Sequence, residues 1–189
     1  MKSKAQESQL RNLGRRYEGI TLASINWSED NVKKLSKWLD KPKNFLIITG
    51  PPGTGKTHAC SAIIDWIDGK VRSYRYHDEK KLFERLRTSI ANGLDYSREI
   101  PTLIDDDFII LNDIGSSGFD KVKYPWREEV WFSVIDELYN QFTPTVVTTN
   151  LSQQDMYNLV HPRLVSRLFN KGNVVIDLSD EMDYRESEQ

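Results

Sequence analysis

Gly50-Pro51-Pro52-Gly53-Thr54-Gly55-Lys56-Thr57 decides the fold of this chain. The octet fits the G-x-x-x-x-G-K-[ST] pattern of a phosphate-binding loop. Glycine at 50, 53 and 55 admits backbone conformations closed to residues with a Cβ, so consecutive N–H groups turn toward one anion. Lys56 brings a point charge to the terminal phosphates. The Thr57 hydroxyl is a hard oxygen suited to Mg²⁺. Asn44-Phe-Leu-Ile-Ile-Thr49, just before the loop, reads as a buried parallel strand. Residues 57–68 follow, with Ala59, Ile63, Ile64 and Ile67 at helical spacing. Strand, glycine loop and helix set the phosphates at a helix N-terminus, with His58 beside the nucleotide.

The chain has 189 residues, enough for one α/β domain with a real core. Apolar residues make up 38% and charged residues 29%, with a formal net charge of −2, the profile of a soluble protein. No apolar run is long enough to span a membrane, and the N-terminus lacks the apolar core of a signal peptide, so a cytoplasmic protein is expected. Cys60 is the one cysteine, which excludes an internal disulfide or a cysteine zinc site. Charge is unevenly spread. Residues 1–43 and 70–87 are basic and residues 177–189 are acidic. The basic stretches fit either a nucleic-acid surface or solvated helix faces.

The polar stretch 1–15 reads as a mobile arm, 16–180 as the folded domain and 181–189 as an acidic tail. Within the domain, Ser28 caps a helix to Trp38 that Pro42 ends. Val71-Arg-Ser-Tyr-Arg-Tyr76 alternates as a second strand. Asp78 caps a helix bearing Leu82, Phe83, Leu86 and Ile90. Phe108-Ile-Ile-Leu111 is a third strand, ending in Asn112-Asp113-Ile114-Gly115. Pro125 opens a helix to about Gln141. Residues 144–149 form a fourth strand tipped by Asn150, and residues 173–178 a fifth. Ser152 and Asp155 form a capping box, and Pro162 opens a last helix. Strands alternating with helices predict a five-stranded parallel sheet flanked by helices, a P-loop NTPase fold.

A nucleoside triphosphatase holds phosphates, holds Mg²⁺, orients water and stabilises the transition state. The octet serves the first task. Asn112 and Asp113 end the third strand beside it, with Asp113 placed to polarise the attacking water and both residues on the metal side. Asn150 ends a strand of the same sheet, within reach of the γ-phosphate or its water. Arg163 and Arg167, four apart, share a helix face suited to an arginine finger across a subunit boundary.

These segments together resemble an AAA+ ATPase of the bacterial helicase-loader group, DnaC and DnaI, which also includes the transposition helper IstB. The resemblance runs from about residue 16 to 185. Arg16, Tyr17 and Ile20 resemble the lead-in to that family's ATPase core. Phe45 through His58 resembles the Walker A strand and loop. Ile110-Leu-Asn-Asp-Ile-Gly115 resembles the Walker B segment, Pro144 through Leu151 the sensor 1 strand with Asn150 at the sensor position, and Arg163-Leu-Val-Ser-Arg-Leu168 the arginine-finger segment, whose role falls on Arg167. The resemblance implies ATP and Mg²⁺ as cofactors. It also implies a replicative helicase or its loader as partner, single-stranded DNA, and ATP-dependent head-to-tail self-assembly.

The sequence departs from that pattern in three ways. Asn112 replaces the first Walker B acid and implies slow hydrolysis or ATP binding used as a switch. About fifteen residues precede the core where family loaders carry a helicase-binding domain. Little chain follows the fifth strand, so no C-terminal helical lid is expected. Three functions fit: a helicase-loader-like ATPase of DNA replication, an IstB-type transposition helper, and a non-hydrolysing ATP-dependent regulator of a helicase or loader. In the first, the basic residues of 80–87 and of the 116–123 loop contact single-stranded DNA, with Phe119 stacking on bases.

Overall fold

The central strands are apolar on both faces, a pattern that only a sheet covered on both sides accommodates. The computed structural model describes residues 4–93, 95–116 and 125–183. In chain order the elements are α1 (Lys4–Leu13), α2 (Glu29–Asp40), β1 (Phe45–Thr49), α3 (Lys56–Ile67), β2 (Arg75–Asp78), α4 (Glu79–Ala91), α5 (Ile100–Ile104), β3 (Ile109–Ile114), α6 (Pro125–Asn140), β4 (Thr145–Thr149), α7 (Gln153–Leu159), α8 (Pro162–Leu168) and β5 (Val174–Asp177). The strands form one sheet in the order β2-β3-β4-β1-β5, with every pairing parallel. This is the expected α/β P-loop NTPase fold, a five-stranded parallel sheet flanked by helices.

Side chains from the two faces of the sheet feed two cores. Leu46, Ile48, Ile110, Val146 and Ile176 pack under α1, α2 and α3, against Leu35, Trp38, Leu39, Ile63, Ile64 and Ile67. Phe45, Ile47, Ile109, Leu111 and Val147 pack on the other face, against Phe83, Leu86, Trp131, Leu138, Leu164 and Leu168. Burying each such side chain contributes about 1.5–3 kcal/mol. Trp131 is 1% exposed and sits edge-on to Phe83, with ring centroids 5.6 Å apart. Local signals start two helices as the sequence predicts, whereas Ser28 stands at the N-cap position of α2 without a side-chain cap bond. Asp78 accepts from Lys81 N at 3.3 Å to start α4. Ser152 Oγ accepts from Asp155 N, and Asp155 accepts in return from Ser152 N.

The structure corrects three expectations. The mobile arm over 1–15 is instead helix α1 from Lys4 onward, with Gln6 and Leu10 buried. Its anchors are amides, which hydropathy does not reveal. Gln6 Nε2 donates to Asp65 Oδ1 at 2.9 Å. Gln9 accepts from Tyr76 N at 3.0 Å and donates to Tyr74 O, which satisfies the otherwise open edge of β2. The second strand begins at Arg75, not at Val71. Asp107 takes the backbone N–H groups of Arg72 and Ser73, so that stretch bonds a carboxylate instead of β3. The acidic tail is not detached at 181. Glu181 accepts from Ser28 N and from Asn31 Nδ2, each at 2.8 Å. Helix α5 was not foreseen.

Two outcomes follow from this packing. Leu10→Ala should lower unfolding free energy in urea by about 2–3 kcal/mol, where an unattached arm would give no change. His77, on β2, donates Nε2–H to the Leu103 carbonyl oxygen at 2.7 Å. Burial holds its pKa below the ordinary 6.5; the Leu103 hydrogen bond opposes this, Arg75 and Arg85 act with burial, and Asp106 acts against it. As pH falls past about 6.5 the unfolded chain takes up a proton that the native state refuses. The stability is therefore full above that pH and lost as pH falls through the lowered folded value. The urea midpoint should drop between about pH 7 and about pH 5, and less steeply in His77→Gln.

Candidate functional site

The carboxyl ends of β1, β3 and β4 open into a cleft of about 580 Å³, where ligands of parallel sheets bind. The loop between β1 and α3 forms its floor. Gly50 has φ 146, and a Cβ there would come within 2.8 Å of Leu178 Cβ. Gly55, at φ 87, is left-handed and starts α3 with no side-chain cap, so the first-turn N–H groups remain for a ligand. Thr54 is pinned twice: its hydroxyl donates to Pro51 O at 2.9 Å, and its carbonyl accepts from Trp27 Nε1 at 3.0 Å. Lys56, 7% exposed, donates Nζ–H to the carbonyls of Gly50 and Pro51 at 2.7 and 2.6 Å.

Three flanks close around this floor. Arg16, Tyr17 and Ile20 line one wall, where Ser61 Oγ donates to Tyr17 O at 2.6 Å. His58 lines the cleft with Nε2 3.0 Å from Ser24 Oγ. Burial lowers its pKa, which keeps the imidazole neutral at neutral pH. Over the loop, the Asp183 carboxylate occupies the space that a Cβ on Gly53 would need.

The acidic end of β3 faces the loop. Asn112 Oδ1 lies 3.5 Å from Thr57 Oγ1 and 3.5 Å from the Cys60 thiol. Burial raises the pKa of that thiol, so it stays protonated and packed. Asp113 has φ 66, and its Oδ1 accepts from Asn150 Nδ2 at 2.8 Å. Thr57, Asn112, Asp113 and Asn150 thus converge with the loop. Sequence reading missed Thr148, which also lines the cleft. Its position two residues before Asn150 on a strand, hence on the same face, was the available signal.

Arg167 lies elsewhere. It pairs with Asp136 of α6, donates Nη1–H to Arg163 O at 3.0 Å, and stands 5.1 Å from the Phe132 ring centroid. It lines no part of the cleft. Arg163 lines a second hollow of about 440 Å³ with Phe132, Glu128 and His161. On α4, Lys80, Lys81, Arg85 and Arg87 are exposed, Lys81 reaching Asn12 O and Arg85 pairing with Glu99. Of the basic loop expected at 116–123, only Ser116 is among the described residues, and Phe119 lies outside them. Ser116 Oγ donates to buried Glu79 at 2.9 Å.

Uncapped N–H groups beside a buried ammonium suit a polyphosphate. A threonine hydroxyl with an amide oxygen nearby suits hydrated Mg²⁺, which keeps several waters and takes few protein ligands. Among the described residues, no three His, Cys, Asp or Glu side chains group as a metal site, so such an ion would rest on Thr57, phosphate oxygens and water.

Solved structures share the architecture. A DnaC helicase loader matches with a TM-score of 0.69 at 22% identity, over 86% of this chain and 98% of that one. DnaI matches with 0.67 at 17%, over 86% and 93%. The replication initiator DnaA bound to AMPPCP and single-stranded DNA matches with 0.70 at 19%, over 87% of this chain and 51% of that one. The chain therefore spans about half the length of that DnaA structure. At these identities the likeness is one of fold. No curated protein sequence matches. The family model described as "IstB-like ATP binding protein" matches residues 21–170, the span holding the phosphate loop, Asn112 and Asp113 of β3, Asn150 and both arginines, and by that match the chain belongs to the IstB-like ATP-binding proteins.

Proposed function

We propose that this ATP-binding domain is a slow, Mg²⁺-dependent ATPase that serves DNA replication, acting on a replicative helicase or its loader and on single-stranded DNA. The observation that carries the reading is the pairing at the end of β3: one carboxylate, Asp113, held by Asn150 at 2.8 Å, beside a neutral amide, Asn112, facing Thr57. A two-acid site would bring one more negative charge to the metal. The likeness to DnaC over 98% of that chain supports the loader reading, and the DNA-bound DnaA supports the DNA ligand. The family description favours a second reading, an IstB-type transposition helper on duplex DNA.

In this mechanism the first-turn N–H groups of α3 hold phosphate oxygens, and Lys56 exchanges its loop carbonyls for them. Mg²⁺, when bound, neutralises phosphate charge. Asn150 occupies one oxygen of Asp113, leaving the other to accept a proton from water and aim it. Thr57 and Asn112 stand on the metal side. Arg167 acts on a neighbouring subunit in a head-to-tail assembly, which requires its guanidinium to leave Asp136. The exposed lysines and arginines of α4 meet the DNA backbone, so binding weakens as salt rises.

Lys56→Ala should weaken ATP binding by at least about tenfold in a fluorescent-nucleotide titration, since a charge-assisted phosphate contact is lost. Asp113→Asn should keep ATP affinity and lower turnover by about 100-fold or more. Asn112→Asp should raise turnover or sharpen its Mg²⁺ dependence; a wild type already as fast shows that Asn112 is not limiting. Binding to single-stranded and duplex DNA, compared at low salt with ATP, separates the loader from the transposition helper.

Arg167→Ala should bind ATP normally and lose both hydrolysis and ATP-dependent assembly, read by light scattering. Mixed with Lys56→Ala, it should regain part of the turnover, because one composite site in such a pair is intact. Wild-type assembly and turnover in Arg167→Ala would move the finger role to Arg163.

A further inference from the structure

β3 and β4 pair in register from Ile109↔Thr145 to Leu111↔Val147 and resume at Ile114↔Thr149. Asn112 and Asp113 therefore stand opposite the single residue Thr148, which makes a β-bulge. The bulge has a visible effect on the faces of β3. Leu111 and Ile114, three apart, both enter the core on the α6 side, which strict alternation forbids. It also has a cost. Asp113 sits at φ 66, a region that a residue with a Cβ occupies at about 1–3 kcal/mol.

Thr148 supplies what the bulge removes. Its Oγ1 accepts from Asp113 N at 2.9 Å. Its proton goes to Asn112 Oδ1, also at 2.9 Å. The Thr57 hydroxyl and the Cys60 thiol approach that same oxygen. Of these three the Thr148 hydroxyl alone stands at full hydrogen-bond distance; it takes one lone pair and holds the amide oxygen on the Thr57 side, and the two 3.5 Å approaches leave the other lone pair open. Thr148 itself is 1% exposed, so water does not replace it readily.

The geometry points to Thr148 as a positioning residue of the site: its hydroxyl selects which end of the Asn112 amide faces the metal side and holds Asp113 in its bulged conformation. This rests on reading the cleft as a Mg²⁺–ATP site. Water on a divalent cation is a hydrogen-bond donor. An amide oxygen accepts from it, and an amide NH₂ group does not. A carboxylate has two equivalent ends and needs no orienting partner. Asparagine has two unlike ends and does. The neutral residue at 112 thus makes the hydroxyl at 148 necessary.

The test titrates a fluorescent ATP analogue with Mg²⁺ and with EDTA, and follows hydrolysis in parallel. Wild type, Thr148→Val and Thr148→Ser are compared, each also on the Asn112→Asp background. Thr148→Val should lose about tenfold of the Mg²⁺-dependent gain in affinity while its EDTA affinity stays within about twofold. Thr148→Ser should restore the gain. On the Asn112→Asp background the Val variant should lose less than about twofold, because a carboxylate has no wrong end. Should Thr148→Val fail to fold, Thr148→Cys takes its place. An undiminished Mg²⁺ gain in Thr148→Val overturns the proposal. So does an equal loss on both backgrounds, which makes the hydroxyl a fold residue only. A wild type that binds ATP equally with and without Mg²⁺ is a different result: it overturns the reading of the cleft itself.

Discussion

Lys56 is a cation inside the protein, and the loop around it exists to keep it there. A buried ammonium costs several kcal/mol unless its protons are taken, roughly the whole margin of a small domain. Two carbonyls of its own loop accept from it, those of Gly50 and Pro51. For both to point at one ammonium the loop must coil tightly, and Gly55 at φ 87 closes it. Thr54 then ties the coil from within, to Pro51 O, and Trp27 pins it from outside. The result is a set of N–H donors held in place before a ligand arrives. Phosphate oxygens compete for an ammonium already positioned, so little ordering is left for binding to supply.

The sheet gives that loop its neighbours. Parallel strands send every carboxyl end to one edge, so residues 57, 113 and 150, distant in sequence, meet in one cleft. This much was legible in the chain. Apolar runs of five or six residues, spaced by helix-length segments, leave few topologies, and a polar residue at a strand's last position falls at the cleft. Local signals such as the Asp78 cap and the Ser152–Asp155 box read correctly because they depend on three or four adjacent residues.

What escaped the sequence depends on partners far away. Helix α1 looks like an arm because Gln6 and Gln9 are polar, yet their amides bond Asp65 and the edge of β2, about sixty residues on. The start of β2 is set by Asp107, a residue on the approach to the next strand. Glu181 belongs to the domain through Ser28 and Asn31. Hydropathy scores each of these groups as solvent-loving. Only the fold shows that a second polar group meets it, and a satisfied polar pair can then anchor the segment. The β3 bulge escaped for a related reason: it is a property of two strands together, and Asp113 carries only the general tolerance of aspartate for positive φ.

Arg167 shows the same economy at the opposite flank. The proposed finger is not a loose cation awaiting a phosphate. It is paired with Asp136 and laid against Phe132 and Tyr139. Moving it to a neighbour's nucleotide exchanges one anion for another. Such an exchange nearly cancels in free energy, since a partly exposed pair is worth little and its loss leaves Asp136 within reach of water. A near-balanced exchange is tipped by a small added term, and the multiple charge on a bound triphosphate is such a term. An arginine with no partner in its own chain would bind any anionic surface. One already held would respond to an anion of higher charge in the right place, which under the proposed finger role would tie the proposed assembly to the nucleotide the neighbour carries.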